Sequence, residues 1–92
     1  MNAPIRRVLE IVNEKGLHAR ASAKLVETVE GFDAQAQVSK DGQSACGDSI
    51  MGLLMLAASK GTSIEVQTTG PEALDLATAI EELVANRFGE EC

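Results

Sequence analysis

Apolar and polar positions change period several times along this chain, and each change predicts an element. Ile5 to Asn13 is rich in Val, Ile and Leu and short enough for a strand, and Glu14-Lys15-Gly16 follows as a turn. From about Ala19 to Glu30 the sequence favours a helix, with Leu25, Val26 and Val29 one turn apart on a single face. Gly31 is its expected stop, because glycine tolerates the left-handed backbone with which many helices end. Ala34, Ala36 and Val38 alternate with Gln35, Gln37 and Ser39, and Asp41-Gly42 then marks a tight reversal into a short strand, Gln43 to Cys46. Ser49 opens a short helix reaching about Ala58 or Ser59, and Gly61 closes it. Ile64, Val66 and Thr68 alternate with Glu65 and Gln67 as a fourth strand. Gly70-Pro71-Glu72 puts proline at the first helical position and an acid near the positive end of the helix dipole. Leu76, Ala77, Ile80, Leu83 and Val84 then form one stripe down to roughly Arg87.

The expected order is βαββαβα. Four strands in a mostly antiparallel sheet have one wet face, and three amphipathic helices cover the other, so the fold expected is an α+β open-faced two-layer sandwich. Ninety-two residues allow one domain, residues 1–92. Hydrophobic residues make up 45% of the chain, yet phenylalanine is the only aromatic and occurs twice, so the core must be assembled mainly from Leu, Ile, Val, Ala and Met.

Charge narrows the function. A net charge of −6 argues against nucleic-acid binding, which requires an excess of Lys and Arg to neutralise phosphates. The charge is unevenly spread. Seven acidic residues and a single basic one, Arg87, follow Ser63, whereas Lys15, Arg20 and Lys24 surround the one histidine, His18. A local positive field of this kind suits an anion or an acidic partner surface. Cys46 and Cys92 make neither a disulfide framework nor a metal knuckle and read as free thiols. With no apolar run of signal-peptide or membrane length, the expectation is a soluble cytoplasmic protein without membrane insertion.

Gly16-Leu17-His18-Ala19-Arg20 joins a strand end to a helix start. Amides at a helix start lack intrahelical partners and carry the positive end of the dipole, so the place favours an anion. Neutral imidazole offers a nitrogen nucleophile without first losing a proton, which suits direct attack on phosphorus at neutral pH. The oxygens of the resulting phosphohistidine would face the free amides and the guanidinium of Arg20.

These residues resemble the HPr family, the phosphocarriers of the bacterial phosphoenolpyruvate-dependent phosphotransferase system. Two separate segments carry the likeness, Gly16-Leu17-His18-Ala19-Arg20 and Ser49-Ile50-Met51-Gly52-Leu53, and it spans essentially the whole chain in length and element order. The resemblance implies that His18 accepts the phosphoryl group through Nδ1 and that Arg20 stabilises it. It makes Ser49 the site of regulatory phosphorylation by an ATP-dependent HPr kinase/phosphorylase. Enzyme I would be the donor and an Enzyme II A component the acceptor, with Ile50, Met51 and Leu54, joined by Lys24, contacting the partners. The chain would be a monomeric carrier rather than an enzyme and would need no cofactor.

Two positions depart from the family pattern: Ala21 stands where proline usually follows the arginine, and Asp48 precedes Ser49 where many relatives have a basic residue. Ser49 also has a purely structural use, since serine at a helix start is a preferred N-cap. The segment Ile50 to Leu56 is apolar on nearly all sides, so part of it should be core and part an exposed, adaptable surface. A second function keeps the fold but changes the role, to a regulatory adaptor of the nitrogen-type branch or similar that binds partners through the Ser49–Leu54 helix. A metal or nucleotide binder fits poorly, because one histidine has no ligand cluster around it and no P-loop is present.

Overall fold

Alternating strands and amphipathic helices assemble in the predicted order in the computed structural model, which describes residues 3–91. The elements are β1 (Ile5–Glu10), α1 (Ala19–Glu30), β2 (Gln35–Lys40), β3 (Gln43–Cys46), α2 (Ile50–Met55), β4 (Ser63–Thr69) and α3 (Ala73–Ala85), followed by a 3-10 turn at Arg87–Gly89. The sheet order is β1-β4-β2-β3, and each neighbouring pair is antiparallel. Register puts inward-facing residues side by side across the sheet: Leu9 opposite Ile64, Val66 opposite Val38, and Val38 opposite Ala45. All five are buried, while Val8, one residue out of phase, is 70% exposed on the opposite face. The helices cover the inner face only, with α3 on β1 and β4, α2 on β3, and α1 against both other helices. This is the α+β open-faced sandwich.

Asp41 and Gly42 take φ of 51° and 82°, the paired left-handed conformations of a tight hairpin, and so join β2 to β3 as the Asp-Gly pair requires. Other boundaries differ from expectation. Gly31 ends α1 at φ −80°, in ordinary right-handed backbone, with its amide bonded back to the Thr28 carbonyl and the next amide, Phe32, to that of Val29. β1 stops at Glu10 rather than Asn13, although Ile11 still exchanges backbone hydrogen bonds with Thr62 and Gly61. α2 ends at Met55 rather than near Ala58, because Ala57 turns the chain at φ 53° and thereby buries both Leu56 and Ala58. Pro71 lies before α3 instead of at its first position: Glu72 is the N-cap, and its amide donates to the Asp33 carbonyl.

The expected last helix ends at Ala85, short of Arg87, and the chain turns back on itself there. Arg87 and Phe88 both occupy left-handed backbone, at φ 56° and 53°, which is uncommon for residues with a side chain. The Phe88 ring, fully buried in the core, holds that turn in place. Cys46 is an exposed free thiol, and Cys92 lies outside the described residues. Phe88→Ala should lower unfolding stability by about 3–5 kcal/mol, the usual cost of emptying a buried phenylalanine site, as read from the midpoint of denaturant unfolding.

Candidate functional site around His18

The loop entering α1 is seated by a close backbone approach. Gly16, at φ 66°, lies so near the end of the α2 segment that a Cβ there would come within 2.4 Å of the Ala58 carbonyl oxygen. The next amide, Leu17, donates to that same oxygen at 2.8 Å, and the Leu17 side chain is buried. Chain direction is therefore settled one residue before the histidine. His18 is the N-cap of α1, with extended backbone, and its carbonyl receives the first helical hydrogen bond from Ser22. Its side chain makes no capping bond, so the imidazole does not satisfy the first amides of α1. The ring is 28% exposed.

One edge of the ring is occupied. His18 Nε2 contacts Glu90 Oε2, and the other oxygen of that carboxylate accepts from Asn13 Nδ2 at 3.0 Å. Asn13 is wholly buried and donates from the same nitrogen to the Gly16 carbonyl at 2.8 Å, so a single amide ties the active loop to the C-terminal segment. Asn13 holds Glu90 below the ordinary carboxylate range by its hydrogen bond, with the His18 contact and the Lys15 charge adding to the effect against the opposing influence of burial. Lys24 secures the same segment by donating from Nζ to the Phe88 carbonyl at 2.7 Å.

Lys15, Arg20 and Lys24, the cations expected around the histidine, line one open cleft of about 340 Å³ together with Glu14, Gly89, Glu90 and Glu91. Arg20 is exposed at its rim. The cleft combines cationic side chains with the amino end of a twelve-residue helix, a setting in which added negative charge is stabilised. Asn13 and Glu90 were not expected from the sequence. Nothing in local pattern links two residues so distant in the chain, and the only hint was a lone Phe88 beyond the last apolar stripe.

Ser49 is the N-cap of α2, and its Oγ accepts from the Gly52 amide at 3.0 Å. The helix it opens divides as its composition required. Leu53 is fully buried and Leu54 half-buried, whereas Ile50, Met51 and Met55 are 40%, 70% and 74% exposed. α2 packs against α1, which places this apolar surface and His18 on the two helices of one contact. Among the described residues, no helix is long and apolar enough to cross a membrane.

Fold and site define a class: small α+β proteins that present an imidazole at the amino end of a helix. A family model described as the PTS HPr component phosphorylation site matches residues 5–86. The chain is similar to the phosphocarrier protein HPr of Cupriavidus necator, 43% identical over 86 residues that cover 94% of this chain and 97% of that protein. It is also similar to the phosphocarrier protein NPr of Escherichia coli K12, 39% identical over 95% of this chain and 98% of the relative. Among solved structures, HPr-C-His from Thermoanaerobacter tengcongensis superposes with a TM-score of 0.91 at 34% identity, covering 96% of this chain and 99% of that one. The protein belongs to the HPr family of the phosphotransferase system.

Two measurements check this geometry. Ser49→Ala should cost about 1 kcal/mol, within the range for loss of an N-cap, in denaturant unfolding. A depressed Glu90 contributes stability that is fully present above its unfolded value and is lost as pH falls through its lower folded value. The stability difference between wild type and Glu90→Gln should therefore shrink as unfolding is measured from roughly pH 6 down to pH 2.

Proposed function

We propose that the protein is a cytoplasmic phosphocarrier that acts as one monomeric domain, residues 1–92. It takes a phosphoryl group from Enzyme I on His18 Nδ1 and delivers it to an Enzyme II A component. The observation that carries this reading is an N-cap histidine whose side chain makes no capping bond to the helix and whose ring contacts Glu90, one wall of the cleft that Lys15, Arg20 and Lys24 also line. The Nε2 edge is taken by Glu90, so Nδ1 is the nitrogen left for phosphorus. The reaction is an in-line exchange between two proteins, and the carrier needs to supply position and charge stabilisation rather than further acid–base groups. Arg20, exposed in that cleft two residues after the histidine, is the group that receives the phosphoryl oxygens together with the first amides of α1.

Ile50, Met51 and Leu54 form the partner surface, with Lys24 contributing charge at the cleft edge. Met51, at 70% exposure, fits an adaptable apolar contact. Ser49 is the regulatory position, a target for an HPr kinase/phosphorylase. A phosphate there would place a dianion next to Ile50 and Met51 and weaken docking of an acidic or apolar partner. The same exposed surface, with the likeness to NPr, also supports the second reading, a regulatory adaptor working through the Ser49–Leu54 helix. The two separate on mutation: His18→Ala abolishes output from a carrier, whereas Met51→Glu alone abolishes output from an adaptor.

With Enzyme I and labelled phosphoenolpyruvate, the wild-type chain should acquire acid-labile label, and His18→Ala should acquire none. Arg20→Ala should lower kcat/KM for phosphotransfer by about 10- to 100-fold, the equivalent of a lost charge-assisted hydrogen bond. Absence of His18-dependent label would refute the carrier reading.

A further inference from the structure

We propose that Glu90 is a positioning residue for the phosphoryl acceptor: its carboxylate keeps the proton on His18 Nε2, leaves the Nδ1 lone pair as nucleophile, and balances the charge the ring gains when the N–P bond forms. This deepens the reading of His18 as the acceptor and rests on it. The contact itself sets the direction. An ionised carboxylate can only accept a hydrogen bond, so the nitrogen it meets must be the one bearing hydrogen. In a neutral imidazole the other nitrogen then carries the lone pair. Glu90 is held in the ionised form by the Asn13 hydrogen bond and the Lys15 charge.

The carboxylate is oriented by buried structure rather than by chance contact at a surface. Asn13 spends its amide nitrogen on both Glu90 Oε1 and the Gly16 carbonyl, while its Oδ1, fully buried, has no hydrogen-bond partner among the described residues. An amide buried with an unsatisfied oxygen is costly, and its retention is accounted for if both donations serve the site. The backbone that delivers Glu90 is also constrained. Arg87 and Phe88 sit in left-handed backbone, the Phe88 ring fills the core, and Lys24 clamps the Phe88 carbonyl. The remaining charged groups facing this contact are Glu14, Lys15, Arg20, Lys24 and Glu91 along the cleft.

The step balances. The Nδ1 lone pair attacks phosphorus, and the bond from phosphorus to the donor breaks with its electron pair leaving on the donor. The ring keeps its Nε2 proton and becomes a phosphoimidazolium cation, paired with the Glu90 carboxylate. When the acceptor's nucleophile attacks, the N–P electron pair returns to the ring and restores the Nε2–H tautomer.

The experiment pairs 15N imidazole NMR of the unphosphorylated full chain with phosphotransfer kinetics from Enzyme I, for wild type, Glu90→Ala, Glu90→Gln and Glu90→Asp. Amide NMR spectra establish that the variants fold. The neutral wild-type ring should be predominantly Nε2–H. Glu90→Ala should populate both tautomers and lose about tenfold or more in kcat with KM for Enzyme I unchanged, and Glu90→Asp should recover much of both. A wild-type tautomer ratio in Glu90→Ala, or an unchanged kcat, overturns the inference while the carrier function stands. A wild-type chain that takes no phosphoryl group on His18 overturns both.

Discussion

The site depends on one backbone contact, the seating of Gly16 and Leu17 against the Ala58 carbonyl. That contact joins the entry to α1 to the exit from α2, two loops far apart in the chain. It works because Gly16 has no Cβ to keep the strands of chain apart, and because Ala57 turns sharply enough to aim the carbonyl of Ala58. With Leu17 buried immediately afterwards, the next residue must emerge from the fold at the first turn of α1. That residue is His18, and its position follows from the packing of its neighbours rather than from any bond of its own ring to the helix.

A second constraint comes from the C-terminal segment. The chain leaves α3, passes through two left-handed residues and returns across the amino end of α1, held by the Phe88 ring inside and by Lys24 outside. The result is a carboxylate placed among cations, with Asn13 beneath it. In a protein of net charge −6, three cations gathered at one helix end create a positive locality that the overall composition conceals. Glu14, at the same cleft, is paired with Lys60 through a hydrogen bond of 2.9 Å, and that bond and the Lys60 charge lower its pKa.

α2 shows the compromise between folding and recognition. Ser49 and Gly52 close its first turn, and Leu53 anchors it in the core, so a helix of six residues is stable enough to display methionines to solvent. The same side chains could not all be buried in a two-layer fold, and the exposed remainder lies on the helix that packs beside α1. Apolar surface and imidazole thus share the helical side of the sheet, while the other side is polar apart from Val8.

Local pattern alone was enough for the elements whose causes are local. Alternation in Ala34–Ser39 and Ile64–Thr68, the Asp41-Gly42 reversal and the stripe from Leu76 to Val84 all report which side of an element meets apolar contacts, and these became β2, β4, the hairpin and α3. His18, Arg20 and Ser49 were legible as candidates because each sits at a helix start, a position marked by neighbouring residues. Tertiary structure decided what depends on distant pairs. The end of α2 at Met55 goes with a turn that buries Leu56 and Ala58, and the left-handed turn at Arg87 and Phe88 goes with burial of the Phe88 ring in the core. Whether His18 meets Glu90 through Nε2, and whether Asn13 lies beneath them, depended on bringing together segments that no sequence period relates; side-chain contacts across a fold are set by packing, which a linear pattern constrains only by face.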